Sequence, residues 1–306
     1  MKKYLIPLLC LCLLCGCGKA PESTEAPQAG CTFTDDLGNT VTVSAPQRVA
    51  VLSGSFAQVW QLAGGKVCAA PDDAWEDLHL ELPDAVDLGK TNALNLELLM
   101  SAQPDFVISS TNTSQKLEWQ ETLEAMHVPV AYFDIDDFDD YLRMLDICTD
   151  ITGRKDLYEI HGTAVQAQID AILSRKSHGT PKVLCTVASA SSLRAKSSEG
   201  NVLGAMLATM GCENIADSDA MILEDLSIEQ ILAQDPDHIF IVQRGDDEAG
   251  MRAYVESYFA EHPAWSQLTA VKEGRVHYME KTLFNLKPNH RWGEAYEILE
   301  DILRHE

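Results

Sequence analysis

Six basic residues carry the chemistry this chain could perform. Arg194 and Lys196 stand in the serine-rich stretch ASASSLRAKSSEG, Arg244 follows the apolar run HIFIVQ, and Lys287, His290 and Arg291 cluster in LFNLKPNHRWGEAYE. The chain sets 23 Lys plus Arg against 47 Asp plus Glu. Cations placed on that background attract anions and hold them by charge-assisted hydrogen bonds. The chemistry they point to is binding of an anionic ligand. Trp75 in PDDAWEDL and the loop Ser109 to Asn112 after the run FVIS would add an aromatic wall and hydrogen-bond donors.

Signals for catalysis are missing. The 306 residues contain no GxSxG, GxGxxG, P-loop or HExxH pattern, so the nucleophile elbow, dinucleotide turn, phosphate cradle and zinc helix are not encoded. The nine histidines are scattered without a pair at ligand spacing, and each is expected to pack or face solvent. The acidic run Asp134, Asp136, Asp137, Asp139 and Asp140 is not an EF-hand, because its sixth and twelfth positions hold Asp139 and Leu145. It reads as the capping, solvated start of a helix. No cofactor and no metal site are expected. With a formal net charge of -24, nucleic acid and anionic membrane surfaces are excluded as partners.

The elements that would position these residues alternate. Short apolar runs at 48–52, 106–109, 128–133, 182–188 and 238–243 are separated by helical patterns. Such runs suit parallel strands covered on both faces, so the class is α/β. In open parallel sheets ligands bind beyond the carboxyl ends of strands, where the candidate loops lie. From Gly153 to Lys176 there is no proline, and Leu157, Ile160, Ala164, Ala167 and Ala171 form a helical stripe. This predicts one long helix joining two lobes. An internal repeat agrees: NLELLMSAQPDFVI (95–108) and SIEQILAQDPDHIF (227–240) align at an offset of 132, one copy on each side of that helix. Both copies carry an N-cap, a glutamate (Glu97, Glu229) in the first turn, and a proline that stops the helix before a strand.

The termini have a different logic. Lys2 and Lys3 precede an apolar stretch from Tyr4 to Leu14, too short for the roughly 20 residues of a membrane span and of the length of a signal sequence. Leu14-Cys15-Gly16-Cys17 resembles a bacterial lipobox, which makes Cys17 the lipidated mature N-terminus. Residues 18–30, GKAPESTEAPQAG, have no apolar face and read as a flexible tether. The predicted organisation is a signal peptide at 1–16, a lipid-anchored linker at 17–30, a first α/β lobe at 31–152, a connecting helix at 153–176 and a second lobe at 177–306. Of the remaining cysteines, Cys68 and Cys185 fall in strands and Cys148 in a helix, which suits buried thiols.

Four segments in order, 35–55, 95–110, 227–242 and 262–279 (HPAWSQLTAVKEGRVHYM), resemble the substrate-binding proteins of iron-siderophore, haem and cobalamin ABC importers. The resemblance spans nearly all of 31–303. It implies two Rossmann-like α/β lobes with central, mostly parallel sheets, joined by one long α-helix, with the ligand in the cleft between them. It further implies an extracytoplasmic monomer, lipid-anchored to the bacterial membrane, that hands a metal chelate, foremost a ferric siderophore, to a permease dimer without catalysis. Cobalamin or haem is the alternative ligand; an anchored enzyme or adhesion module on the same fold is the alternative class. The resemblance makes Glu97 and Glu229 the permease-docking residues. Candidate ligand contacts are Trp75, Ser109, Asn112, Arg194, Arg244, Lys287 and Arg291.

Overall fold

The computed structural model describes residues 30–111, 118–175 and 179–304; the signal segment, Cys17 and most of its tether, and Asn112 lie outside the described residues. A hairpin of β1 (Cys31–Thr34) and β2 (Thr40–Val43) opens the described chain. Its turn is fastened to the first lobe by the Asp35 carboxylate, which accepts from the backbone N–H groups of Leu37, Asn39 and Tyr132.

Each lobe has its own parallel sheet. The first comprises β3 (Val49–Val51), β4 (Val67–Ala70), β5 (Val86–Asp87), β6 (Phe106–Ser110) and β7 (Val130–Phe133) in the order β5-β4-β3-β6-β7. The second comprises β8 (Lys182–Ser189), β9 (Ser192–Ala195), β10 (Glu213–Asn214), β11 (His238–Gln243) and β12 (Val276–Met279) in the order β10-β8-β11-β12, with β9 antiparallel to the end of β8. Both faces are buried, as continuous apolar runs require. Alternation along the strands divides them: Val49, Val51, Phe106 and Ile108 enter one cluster while Ala50, Leu52 and Val107 enter another. The first of these clusters also takes in Val183, Cys185, Phe240 and Val242 of the second sheet. One apolar core therefore runs through both lobes.

The repeat has a physical explanation in both lobes. Helix α1 (Gly54–Leu62) and the short α2 (Asp73–Glu76) precede α3 (Leu96–Ser101), whose counterpart is the helix Ile228–Gln234. Each ends on a left-handed residue just before proline, Gln103 with φ 50° and Asp235 with φ 45°. The aspartate after proline then closes a reciprocal ring on the first strand of its sheet. Asp105 accepts from the N–H of Gln47 and of Arg48 at 2.8 and 2.9 Å and donates its own N–H to Arg48 O. Asp237 accepts from Lys182 N–H at 2.8 Å and donates to Lys182 O. The same basic residues cap the helices: Arg48 Nε donates to Ala102 O at 2.9 Å, and Lys182 Nζ to Gln234 O at 3.4 Å.

The link between the lobes is helical over Lys155–Tyr158, Glu159–Thr163 and Ala164–Ser174, the middle stretch being a π turn. Its buried face corrects the predicted stripe. Gly162, Val165, Ile169 and Ile172 are buried, whereas Ile160, Ala164, Ala167 and Ala171 are exposed. Large branched side chains gain more from burial than alanine does, so Val165, Ile169 and Ile172 decide the face. They pack with Trp292 and Leu299 of the last helix, Trp292–Arg304.

Candidate functional site

Chain segments that leave the carboxyl ends of β4, β8, β11 and β12 face one another between the lobes and wall a cleft. One part is a cavity of about 560 Å³ bounded by Glu76 and Asp77 of the first lobe and by Asp246, Arg252, Tyr278 and Lys281 of the second. An adjoining space of about 490 Å³ shares Asp77 and Lys281 and adds Lys90, Asn92, Ser189 and Arg244. A third, of about 310 Å³, reaches Gln58, His79, Lys287 and Arg291.

Lys281 is the hub of this cleft, and sequence reasoning missed it. It begins the helix Lys281–Phe284 two residues after β12. Its ammonium bonds both oxygens of Asp77 across the cleft at 2.9 and 2.8 Å and Asp246 of its own lobe at 2.7 Å. Burial works against the charge, but the hydrogen bonds of Asp246 and Asp77 outweigh it and hold the pKa above the ordinary lysine value. The lysine hydrogen bond in turn holds Asp246 below the ordinary carboxylate value. A usable signal was present: VHYM is a β-branched and aromatic run, and Lys281 follows it as Arg244 follows β11.

The expected ligand cations are brought to the cleft only in part, and two of them, Lys287 and Arg291, are already paired. Lys287 lines the third cavity, partly buried, with Nζ 3.6 Å from Asp136 Oδ1 of the first lobe. Its pKa is lowered because burial penalises the ammonium, an effect Asp136 and Asp134 only partly offset. Burial likewise raises the pKa of Asp136. Arg291 forks onto Glu294 at 2.7 and 2.8 Å. Arg244 lines the second cavity, its backbone N–H tied to Ala188 O. Arg194 is exposed on β9 opposite Val187 and lines none of the three cavities.

From the first lobe, Trp75 packs against the core and lines none of these cavities either. Ser109 departs from the loop placement: β6 continues to Ser110, and Ser109 is wholly buried within it. Asn112 lies outside the described residues. The acidic run starts the helix Phe138–Thr152, with Asp137 and Asp140 forming a capping box.

Two histidine pairs that spacing did not suggest are made by tertiary contact. His238 Nδ1 and His277 Nε2 lie 3.0 Å apart between β11 and β12, and the His161 and His290 rings meet edge to face with centroids 6.1 Å apart. Nearby, buried Asn289 donates to Ser55 O and Gln58 Oε1 at 2.8 Å, clipping the second lobe onto α1. Among the described residues no group of three or more His, Cys, Asp or Glu is placed to hold a metal ion. No described helix is long and apolar enough to cross a membrane.

Glu97 and Glu229 are exposed second residues of their helices, equivalent in the two lobes. The Asn95 side chain caps the first helix, accepting from Glu97 and Leu98 N–H.

The family described as periplasmic binding protein matches residues 49–283 of this chain. An Fe(3+)-citrate-binding protein of Bacillus subtilis is 25% identical over 285 residues, 88% of this chain and 86% of its own length. A vitamin B12-binding protein of Pectobacterium atrosepticum is 23% identical over 230 residues, 73% of this chain and 81% of its own. The structure of Staphylococcus aureus SirA complexed with staphyloferrin B superposes with a TM-score of 0.71 at 20% identity, covering 90% of this chain and 99% of that one.

Proposed function

We propose, from the premise that this chain belongs to the periplasmic binding protein family, that it is the lipid-anchored, extracytoplasmic substrate-binding protein of an ABC importer and that its cargo is a ferric siderophore. The observation that carries this reading is the cleft itself. Post-strand segments of both lobes wall adjoining cavities of about 560 and 490 Å³, the size range of a small-molecule site. Scattered hydrogen-bonding groups surround them. Without a cluster of metal-ligating side chains among the described residues, a metal would arrive with its own chelator. The names of the similar proteins, which bind ferric citrate, staphyloferrin B and vitamin B12, support a chelate and keep cobalamin as the second ligand class.

Capture and delivery divide between two surfaces. The cleft holds the chelate while the core shared by both lobes and the Asn289 clip limit relative movement. The exposed Glu97 and Glu229 present one carboxylate per lobe to two permease subunits. Native mass spectrometry of residues 31–306, purified from iron-limited cells, tests the reading. A retained mass that carries iron and is lost on reductive release supports it, while a retained organic molecule without metal would replace it.

A further inference from the structure

Within the chelate-binding reading, on which this inference rests, we propose that the cleft selects a neutral or cationic ferric chelate of the hydroxamate type and rejects polyanionic ones. This reverses the ligand charge expected from the loop cations alone. Four cations of the cleft are already held by carboxylates. Lys281 is bound by two carboxylates, Asp77 and Asp246. Arg252 donates from Nε to Glu248 at 2.9 Å and stacks over the Tyr278 ring at 4.3 Å. Lys287 faces Asp136, and Arg291 is shared between Glu294, onto which it forks, and Glu280 at 4.0 Å, so that group too has one carboxylate more than it has cations.

What remains is negative. Asp72 and Glu76 line the cleft from the first lobe and Glu280 from the second, set against Lys90 and Arg244. The Lys281 bridge adds one carboxylate more than it has ammonium charge. Beyond Lys90 and Arg244, a polyanion could gain a cation only by displacing Asp77 or Asp246 from Lys281, or Glu248 from Arg252, giving up charge-assisted bonds already made. A cation instead meets Glu76 and Glu280, both exposed, inside walls that focus the field of a chain with net charge -24. The Tyr278 ring offers the same ligand an apolar wall.

Tryptophan-fluorescence titration of the purified soluble chain with three probes tests this: ferric desferrioxamine B, a cationic trihydroxamate; ferrichrome, a neutral one; and ferric citrate, an anion. At low ionic strength the cationic probe should bind at least about tenfold more tightly than ferric citrate, and the gap should narrow in 1 M salt. In the double variant Glu76→Gln with Glu280→Gln the cationic preference should fall severalfold. Ferric citrate binding as tightly as either hydroxamate, or an unchanged preference in the double variant, would overturn the charge selection and leave the importer reading standing. A folded chain that binds none of the three would overturn the hydroxamate selection, and the importer reading would then stand or fall on the mass-spectrometric test.

Discussion

Lys281 shows how one side chain can join two lobes without appearing in any motif. Asp77 and Asp246 come from opposite sides of the cleft, and only the ammonium between them makes their approach favourable. Lys281→Met should therefore cost about 1–3 kcal/mol of stability at neutral pH. In urea unfolding, part of that loss should return as acid protonates the two carboxylates; a loss that does not change with pH would assign it to packing. A second effect belongs to His290. Burial, and then the neighbouring His161 and Arg291, lower its pKa below the ordinary histidine value, and His161 is lowered by burial too. Because the folded values lie below the unfolded ones, their contribution to stability is present above about pH 6.5 and is lost as pH falls through the folded pKa. His290→Gln should make the unfolding free energy fall less steeply between pH 7 and pH 5 than in the parent chain, and an equally steep fall in urea unfolding would remove His290 as a source of that dependence. Sequence placed Lys287, Arg291 and Arg244 near the cleft for a sound reason, their position after strands or before a helix. It did not show which were paired, since Asp136 and Lys287 are 151 positions apart and meet only through packing of the lobes.

The elements were more legible than their faces. All five apolar runs became strands, because continuous burial on both faces leaves an unbroken hydrophobic signature. The short β5, β9 and β10 left no such signature. In the connecting helix, five apolar positions at helical spacing suggested one stripe, while the chain buried another whose side chains are larger. The repeat carried more information than its helix-to-strand grammar suggested. Its post-proline aspartates are the rivets that fasten each helix-strand pair to the neighbouring strand. Asp105→Ala should destabilise the chain by about 1–2 kcal/mol, since two backbone N–H groups lose a charged acceptor. Asp105→Asn, which keeps one acceptor oxygen, should lose about half as much. Equal losses in equilibrium urea unfolding would contradict the rivet role.

At the scale of the whole molecule, two of the proposed roles lie outside the cleft. Glu97→Gln with Glu229→Gln removes two exposed charges that touch no core, so melting temperature and chelate affinity should hold while uptake by permease-containing cells falls. Unchanged uptake with a lowered melting temperature would leave the glutamates as helix-dipole partners, worth about 0.3–1 kcal/mol each. Cys17→Ser should move the protein from the membrane fraction to the soluble one, and unchanged fractionation would refute the lipid anchor. The sequence by itself determined the α/β class, two lobes around a helix, the repeat and the kinship to importer proteins. All of these rest on local periodicity and on motifs read along the chain. Only the tertiary structure decided which carboxylate meets which cation, and so the charge the cleft presents to its ligand. Electrostatic pairing falls off over a few ångströms in space and takes no account of distance along the chain.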